Sequence, residues 1–181
     1  MPILETKIPY VSSGALGEEY NRLMSEAKTD WVLFLDHDVL LCNPHWYQIC
    51  KKAIEQFPDA GMFTCYTNAI SCKYQKTKAP SSKASIWEHL KFGEEVFNKG
   101  GFWCTPVGVI SGFFMLVSKK AWEDVGGFPA NGFFKEDRGF SGRLLKKKYR
   151  IMRMNGLYVY HVYKDKPKFE VEGSKLSDYF K

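Results

Sequence analysis

The stretch Trp31-Val32-Leu33-Phe34-Leu35-Asp36-His37-Asp38 decides the fold. Its first five residues are apolar without polar alternation, the pattern of a strand covered by helices on both faces, which predicts a parallel sheet. Downstream, Asn43 and Pro44 read as the N-cap and first residue of a helix. Its stripe Trp46, Ile49, Cys50, Ala53, Ile54 and Phe57 ends at Pro58, and a second covered strand, Gly61 to Tyr66, follows. Upstream, Lys7 to Val11 reads as a short strand ended by Ser12-Ser13-Gly14. A helix then starts near Gly17, with Glu18 and Glu19 in its positive first turn and Tyr20, Leu23, Met24 and Ala27 along one face. Strand, helix, strand, helix, strand in this order predicts an α/β protein: a mostly parallel, Rossmann-like sheet flanked by helices and joined by right-handed crossovers.

The rest of the chain extends this plan. Thr67 to Ser85 is polar and rich in Lys, Ser and Pro, and predicts a long surface loop. A helix is expected over Ile86 to Asn98, strands over Phe102 to Val107 and Val109 to Val117, and a short helix from Lys119 to Val125 that Gly126-Gly127 stops. An aromatic, Gly-rich loop spans Phe128 to Phe134. Glu136 to Lys148 reads as a helix with acids in its first turn and lysines in its last, followed by short strands over Tyr149 to Met154 and Leu157 to His161 and then a basic tail.

At 181 residues and 45% hydrophobic composition the chain fits one domain with a real core, which excludes disordered and low-complexity classes. Its apolar runs are too short to span a bilayer, and residues 1–20 carry no basic segment followed by an apolar one, so a cytoplasmic protein is expected. Five cysteines without a C-x-x-C pair, mostly within apolar patterns, fit a reducing compartment. The net charge of +6 is carried by the C-terminal part, where Lys135 to Lys181 holds 13 basic against 6 acidic residues. Such a segment serves a solvated surface, an anionic partner or closure over phosphates.

Asp36 and Asp38 stand at the carboxyl end of a buried strand, where ligands bind in open α/β sheets. Two carboxylates one residue apart repel each other unless a cation lies between them, and oxygen ligation suits Mg²⁺ or Mn²⁺ shared with substrate phosphates. Taken alone, the same pair is equally a solvated turn.

The second half of the chain adds Gly112-x-x-x-Leu116-x-Ser118-x-x-Ala121-x-x-x-Val125-Gly126-Gly127-Phe128, then Glu136-Asp137 with Arg143 six residues on, and a late His161. With the D-x-D acids before it, this order resembles the nucleotide-sugar glycosyltransferases of the GT-A fold, above all glycosyltransferase family 2, over roughly Gly14 to His161. The resemblance implies a single GT-A domain: residues 1–66 a nucleotide- and metal-binding half, 67–85 a surface loop, 86–161 an acceptor and catalytic half, 162–181 a basic tail. It implies transfer of a hexose from a UDP-sugar, such as UDP-glucose or UDP-galactose, to a hydroxyl of a glycan or other acceptor, with Mn²⁺ or Mg²⁺ as cofactor.

The same resemblance assigns roles. Asp38 becomes a metal ligand, Asp36 a ligand of the ion or the ribose, and His161 the residue that completes the metal shell, although a structural histidine fits its pattern as well. His37 is the variable middle residue of the donor motif. Asp137 matches the general base of inverting relatives, and Glu136 orients the acceptor or caps its helix. The N-terminal half is shortened against the family, so Ile8, Pro9, Tyr10 and Asn21 are left to form the nucleotide pocket; Tyr10 stacks on a base or packs in the core. Gly112 lets the donor approach the backbone. Lys164 and Lys166, with Lys168, lie where some retaining relatives close over the diphosphate. Trp103, Phe113, Phe128, Phe133 and Phe134 are candidates for packing on a sugar ring, or for core.

Two other functions use parts of the same sequence. A nucleotidyltransferase acting on sugar phosphates also uses strand-end acids, but Ser12 to Gly17 lacks the base its phosphate loop needs. A nucleic-acid-binding module explains the basic C-terminal part and leaves Asp36, Asp38 and Asp137 without a purpose.

Overall fold

The computed structural model describes residues 3–11, 15–81, 83–130 and 136–162, and the backbone of 170–171 and 174–175. The strands are β1 (Leu4–Lys7), β2 (Trp31–Leu35), β3 (Val39–Leu41), β4 (Ala60–Thr67), β5 (Cys104–Val107), β6 (Phe114–Ser118), β7 (Arg150–His161), β8 (Glu170–Val171) and β9 (Ser174–Lys175). The helices are α1 (Leu16–Glu26), α2 (Trp46–Gln56), α3 (Ile86–Gly100), α4 (Lys119–Asp124) and α5 (Glu136–Lys146). The main sheet runs β1-β2-β6-β4-β7-β3, with β5 also on β7, and β8 and β9 pair separately.

The α/β architecture holds, and the sheet is mixed rather than mostly parallel. Strands β1·β2 and β4·β7 are parallel; β2·β6, β4·β6, β3·β7 and β5·β7 are antiparallel. An unbroken apolar run reports that both faces of a strand are covered and carries no information on direction. Both β2 and its antiparallel neighbour β6 are buried along their full length. Alternate residues of β2 then feed two cores. Trp31, Leu33 and Leu35 pack with Ile49, Cys50 and Ala53 of α2, while Val32 and Phe34 pack with Tyr20, Leu23 and Met24 of α1 and with Phe140 and Leu144 of α5. Each such Leu or Phe contributes about 1.5–3 kcal/mol of burial.

Other elements differ at their ends. The first strand lies at Leu4–Lys7 rather than Lys7 to Val11, and the strand expected over 109–117 is confined to Phe114–Ser118. The two strands expected over 149–154 and 157–161 are one, because Asn155-Gly156 is an in-strand close approach and not a turn: a side chain at Gly156 would collide with the Gly101 carbonyl. Val39–Leu41 forms the edge strand β3, pairing Val39 with His161. The loop after β4 is anchored by Gln75, which is fully buried and bonds Ser111 through both ends of its amide. All five cysteines are free. Among the described residues no helix is long and apolar enough to cross a membrane.

Candidate active site

The chain leaves β2 at Leu35, and the Asp36 N–H still donates to the Phe113 carbonyl (3.1 Å). The Asp36 carbonyl accepts from Val39 N–H (3.3 Å), closing a turn over His37 and Asp38, and the Asp38 carbonyl accepts from Val162 (3.0 Å). These bonds and the Val39·His161 register set the end of β2 against the end of β7. His161 Nε2 lies 3.3 Å from Asp38 Oδ1 and 3.8 Å from Asp36 Oδ2. Ligand atoms of the three residues fall within 4.8 Å of one another.

The histidine is anchored on several sides. Its backbone N–H donates to Asn68 Oδ1 (2.8 Å), its carbonyl accepts from Asn68 Nδ2 (3.1 Å), and its ring stacks on Phe113. Nδ1 lies 3.0 Å from the Ala69 carbonyl, which can only accept, so Nδ1 carries the proton. In the neutral ring Nε2 therefore presents a lone pair to two carboxylates, an arrangement that a divalent cation relieves. Two carboxylate oxygens and one imidazole nitrogen suit Mn²⁺ or Mg²⁺.

Burial pushes the Asp36 carboxyl up to about 6, against the charge of His161 and with that of Asp38. Folded protein then holds this proton more tightly than unfolded chain. Stability of the metal-free protein is expected to fall as pH rises from the ordinary value of 3.8 through about 6. Thermal melts across that window should show the fall, and Asp36→Asn should flatten it.

Asp137 sits in the first turn of α5. Burial raises its pKa, while backbone N–H groups of Arg138 (2.6 Å to Oδ1) and Gly112 oppose the rise. Gly112 packs closely here: a Cβ on it would stand 3.2 Å from the Asp137 Cβ, tight enough that Asp137 would have to shift by a few tenths of an ångström. Glu136 is buried beside it against Gly17 of α1. Tyr20, the neighbour of Asn21 on α1, is buried near both groups of acids. Its buried hydroxyl is held neutral first by desolvation and then by the charges of Asp36, Asp137 and Glu136. Gln75, unmarked in the sequence, bridges Thr64 Oγ1 (2.7 Å) and the Ser111 backbone beside Gly112.

The remaining candidates separate. Ile8, Pro9 and Tyr10 follow β1, which is parallel to β2, so they leave the sheet at the same end as Asp36. Tyr10 is 84% exposed, which excludes the core alternative. His37 is exposed. Asn21 is engaged by neighbours outside the acid cluster: its Oδ1 accepts from Trp122 Nε1 and Phe128 N–H (2.8 Å each), and its Nδ2 donates to the Phe128 carbonyl (3.0 Å). Asn21→Ala is expected to cost about 2–3 kcal/mol of stability in urea denaturation, since it strands three polar groups. Arg143 donates to the Gly126 and Gly127 carbonyls (2.8 Å each) and ties that turn to α5. Phe113 and Phe128 are core, and Trp103 is 77% exposed, its carbonyl accepting from the Asn155 N–H. Lys164, Lys166, Lys168, Phe133 and Phe134 lie outside the described residues.

No family model matches the chain, and no curated protein matches it. Solved structures do. A crystal structure of S. aureus TarS 1-349 is similar with a TM-score of 0.52 and 18% identity, covering 82% of this chain and 40% of that one. The same protein in complex with UDP gives 0.50 and 16%, covering 82% and 40%. In complex with UDP-GlcNAc it gives 0.50 and 15%, covering 81% and 39%. The chain thus spans about two fifths of the length of these structures. The likeness shows the fold: this is a GT-A-like α/β domain.

Proposed function

We propose that the protein is a metal-dependent glycosyltransferase that moves a hexose from a UDP-sugar to a hydroxyl acceptor with inversion. The observation that carries the reading is the convergence of Asp36, Asp38 and His161 at one end of the sheet, with the charge of Asp137 close enough to act on Asp36. That similar folds have been crystallised with UDP and UDP-GlcNAc supports a nucleotide-sugar donor. Asp36, Asp38 and His161 hold Mn²⁺ or Mg²⁺, which when bound supplies countercharge to the donor diphosphate. Ile8, Pro9 and the exposed Tyr10 ring supply the base and ribose contacts. Lys164 and Lys166 add positive charge from the tail.

Asp137 takes the proton of the acceptor hydroxyl as its oxygen attacks the anomeric carbon. The bond from that carbon to the diphosphate oxygen breaks on the opposite face, and UDP departs with the electron pair. The raised pKa of Asp137 makes it a stronger base than an ordinary carboxylate. Glu136, adjacent and buried, orients the acceptor. Incubating the protein with UDP-glucose, UDP-galactose or UDP-GlcNAc, Mn²⁺ and simple glycosides should release UDP in step with a glycosylated product. Absence of UDP release with every donor defeats the reading.

A further inference from the structure

Two side-chain amides of the loop that follows β4, Asn68 and Gln75, end on the two halves of the candidate site. Asn68 grips the backbone of His161 twice: its Oδ1 accepts from the His161 N–H (2.8 Å) and its Nδ2 donates to the His161 carbonyl (3.1 Å). The next residue places its Ala69 carbonyl 3.0 Å from the ring's Nδ1. One dipeptide thus fixes both the backbone and the ring of the histidine, and Nε2 faces Asp38 at 3.3 Å.

Gln75 acts on a peptide unit. Its Nε2 donates to the Ser111 carbonyl (2.9 Å) and to Thr64 Oγ1 (2.7 Å), and its Oε1 accepts from the Ser111 N–H (2.8 Å). The Ser111 carbonyl and the Gly112 N–H belong to one planar group, so holding the oxygen also sets the direction of the N–H. That N–H is the one that bonds the Asp137 carboxylate. A carbonyl that accepts a hydrogen bond also polarises its peptide and makes the N–H a better donor. Gln75 is fully buried, so no solvent competes for these bonds.

The two amides are parts of one bracket. Thr67 N–H donates to the Gln75 carbonyl (2.8 Å), Thr77 N–H donates to the Thr67 carbonyl (3.2 Å), and Thr67 Oγ1 donates to Asn68 Oδ1 (3.1 Å). None of these groups is charged, so the bracket holds the site without adding to its crowded carboxylates.

We propose that Asn68 and Gln75 are positioning residues, the first aiming the His161 imidazole at the cation site and the second aiming the Gly112 N–H at Asp137. The proposal rests on the transferase reading for the roles of His161 and Asp137, and its test separates the two. Asn68→Ala should weaken Mn²⁺ binding, measured by calorimetry without donor, by about 10–100-fold, and leave exchange of the Gly112 amide, followed by NMR, as in wild type. Gln75→Ala should do the reverse, with Mn²⁺ affinity within about twofold of wild type and the Gly112 amide exchanging at least roughly tenfold faster. In transfer assays Gln75→Ala should lower kcat by roughly 10–10²-fold with the KM for the UDP-sugar unchanged. Asn68→Ser and Gln75→Glu, which keep a hydrogen-bonding oxygen but lack the amide donor, carry the same readings where an alanine variant does not fold. Variants that melt lower while both readings stay at wild-type values, or in which both readings move together, make the two amides general anchors of the loop and overturn the proposal while the transferase stands. Selective changes in Mn²⁺ affinity and Gly112 exchange, with no transfer by any of the proteins, defeat the transferase reading instead and leave Asn68 and Gln75 positioning a cation site and a buried carboxylate.

Discussion

Replacing Asp137 by Asn should lower sugar transfer by roughly 10²–10⁴-fold, the range for removing a general base, and leave UDP affinity within about twofold. The amide is the same size and its oxygen still accepts from the N–H groups of Arg138 and Gly112 that hold the carboxylate now. What it cannot do is take a proton. Because burial raises the Asp137 pKa, the wild-type rate should fall on the acid side at a higher pH than an ordinary carboxylate would give, and that limb should be absent from the residual activity of the variant. Steady-state kinetics with UDP-release detection, paired with calorimetry of UDP binding, reads both quantities. Loss of UDP affinity in parallel with turnover would make Asp137 a structural residue of the α5 start and remove it from the chemistry.

How far the fold could be read from residues alone is clearest at β2 and β7. Trp31 to Leu35 announced burial on both sides, and alternate side chains do reach two cores. Strand direction was lost, because direction is set by which distant strand pairs alongside, and β6 arrives antiparallel from about eighty residues later. The break expected between Met154 and Leu157 has a related cause: Gly156 serves a contact with Gly101 that only the folded chain creates.

The site divides along the same line. Asp36, Asp38, Asp137 and Gly112 lie in short ordered motifs, and the structure places Gly112 against Asp137 and His161 against both D-x-D acids. Gln75 had no such motif, and Tyr20 was marked only as the neighbour of Asn21. Tyr20 sits on a helical apolar stripe that any core aromatic would fill, and Gln75 lies within a polar loop whose burial follows from bonds to residues 11 and 36 positions away. Asn21 fits a motif and yet bonds Trp122 and Phe128, because a motif fixes which residues are present and leaves which neighbours they meet to packing.

Asp38→Ala tests the cation site most directly. Loss of a single hydrogen-bonded neighbour of a metal ligand typically costs about 10–100-fold in affinity, so removing a ligand should weaken Mn²⁺-dependent UDP binding by at least roughly 10²-fold and leave ion-independent binding as it was. The substitution is gentle on the fold. The backbone carbonyl that accepts from Val162 remains, and the Asp38 side chain is 27% exposed, whereas His161 is nearly buried and its removal would open a hole against Phe113. Without ions the variant should melt higher than wild type, since one of two crowded carboxylates is gone from beside Asp36. Added Mn²⁺ should raise the wild-type midpoint through binding to the folded state and leave the variant where it was. An equal Mn²⁺ response in both proteins would place the ion away from Asp38, and with it the tether for the donor diphosphate.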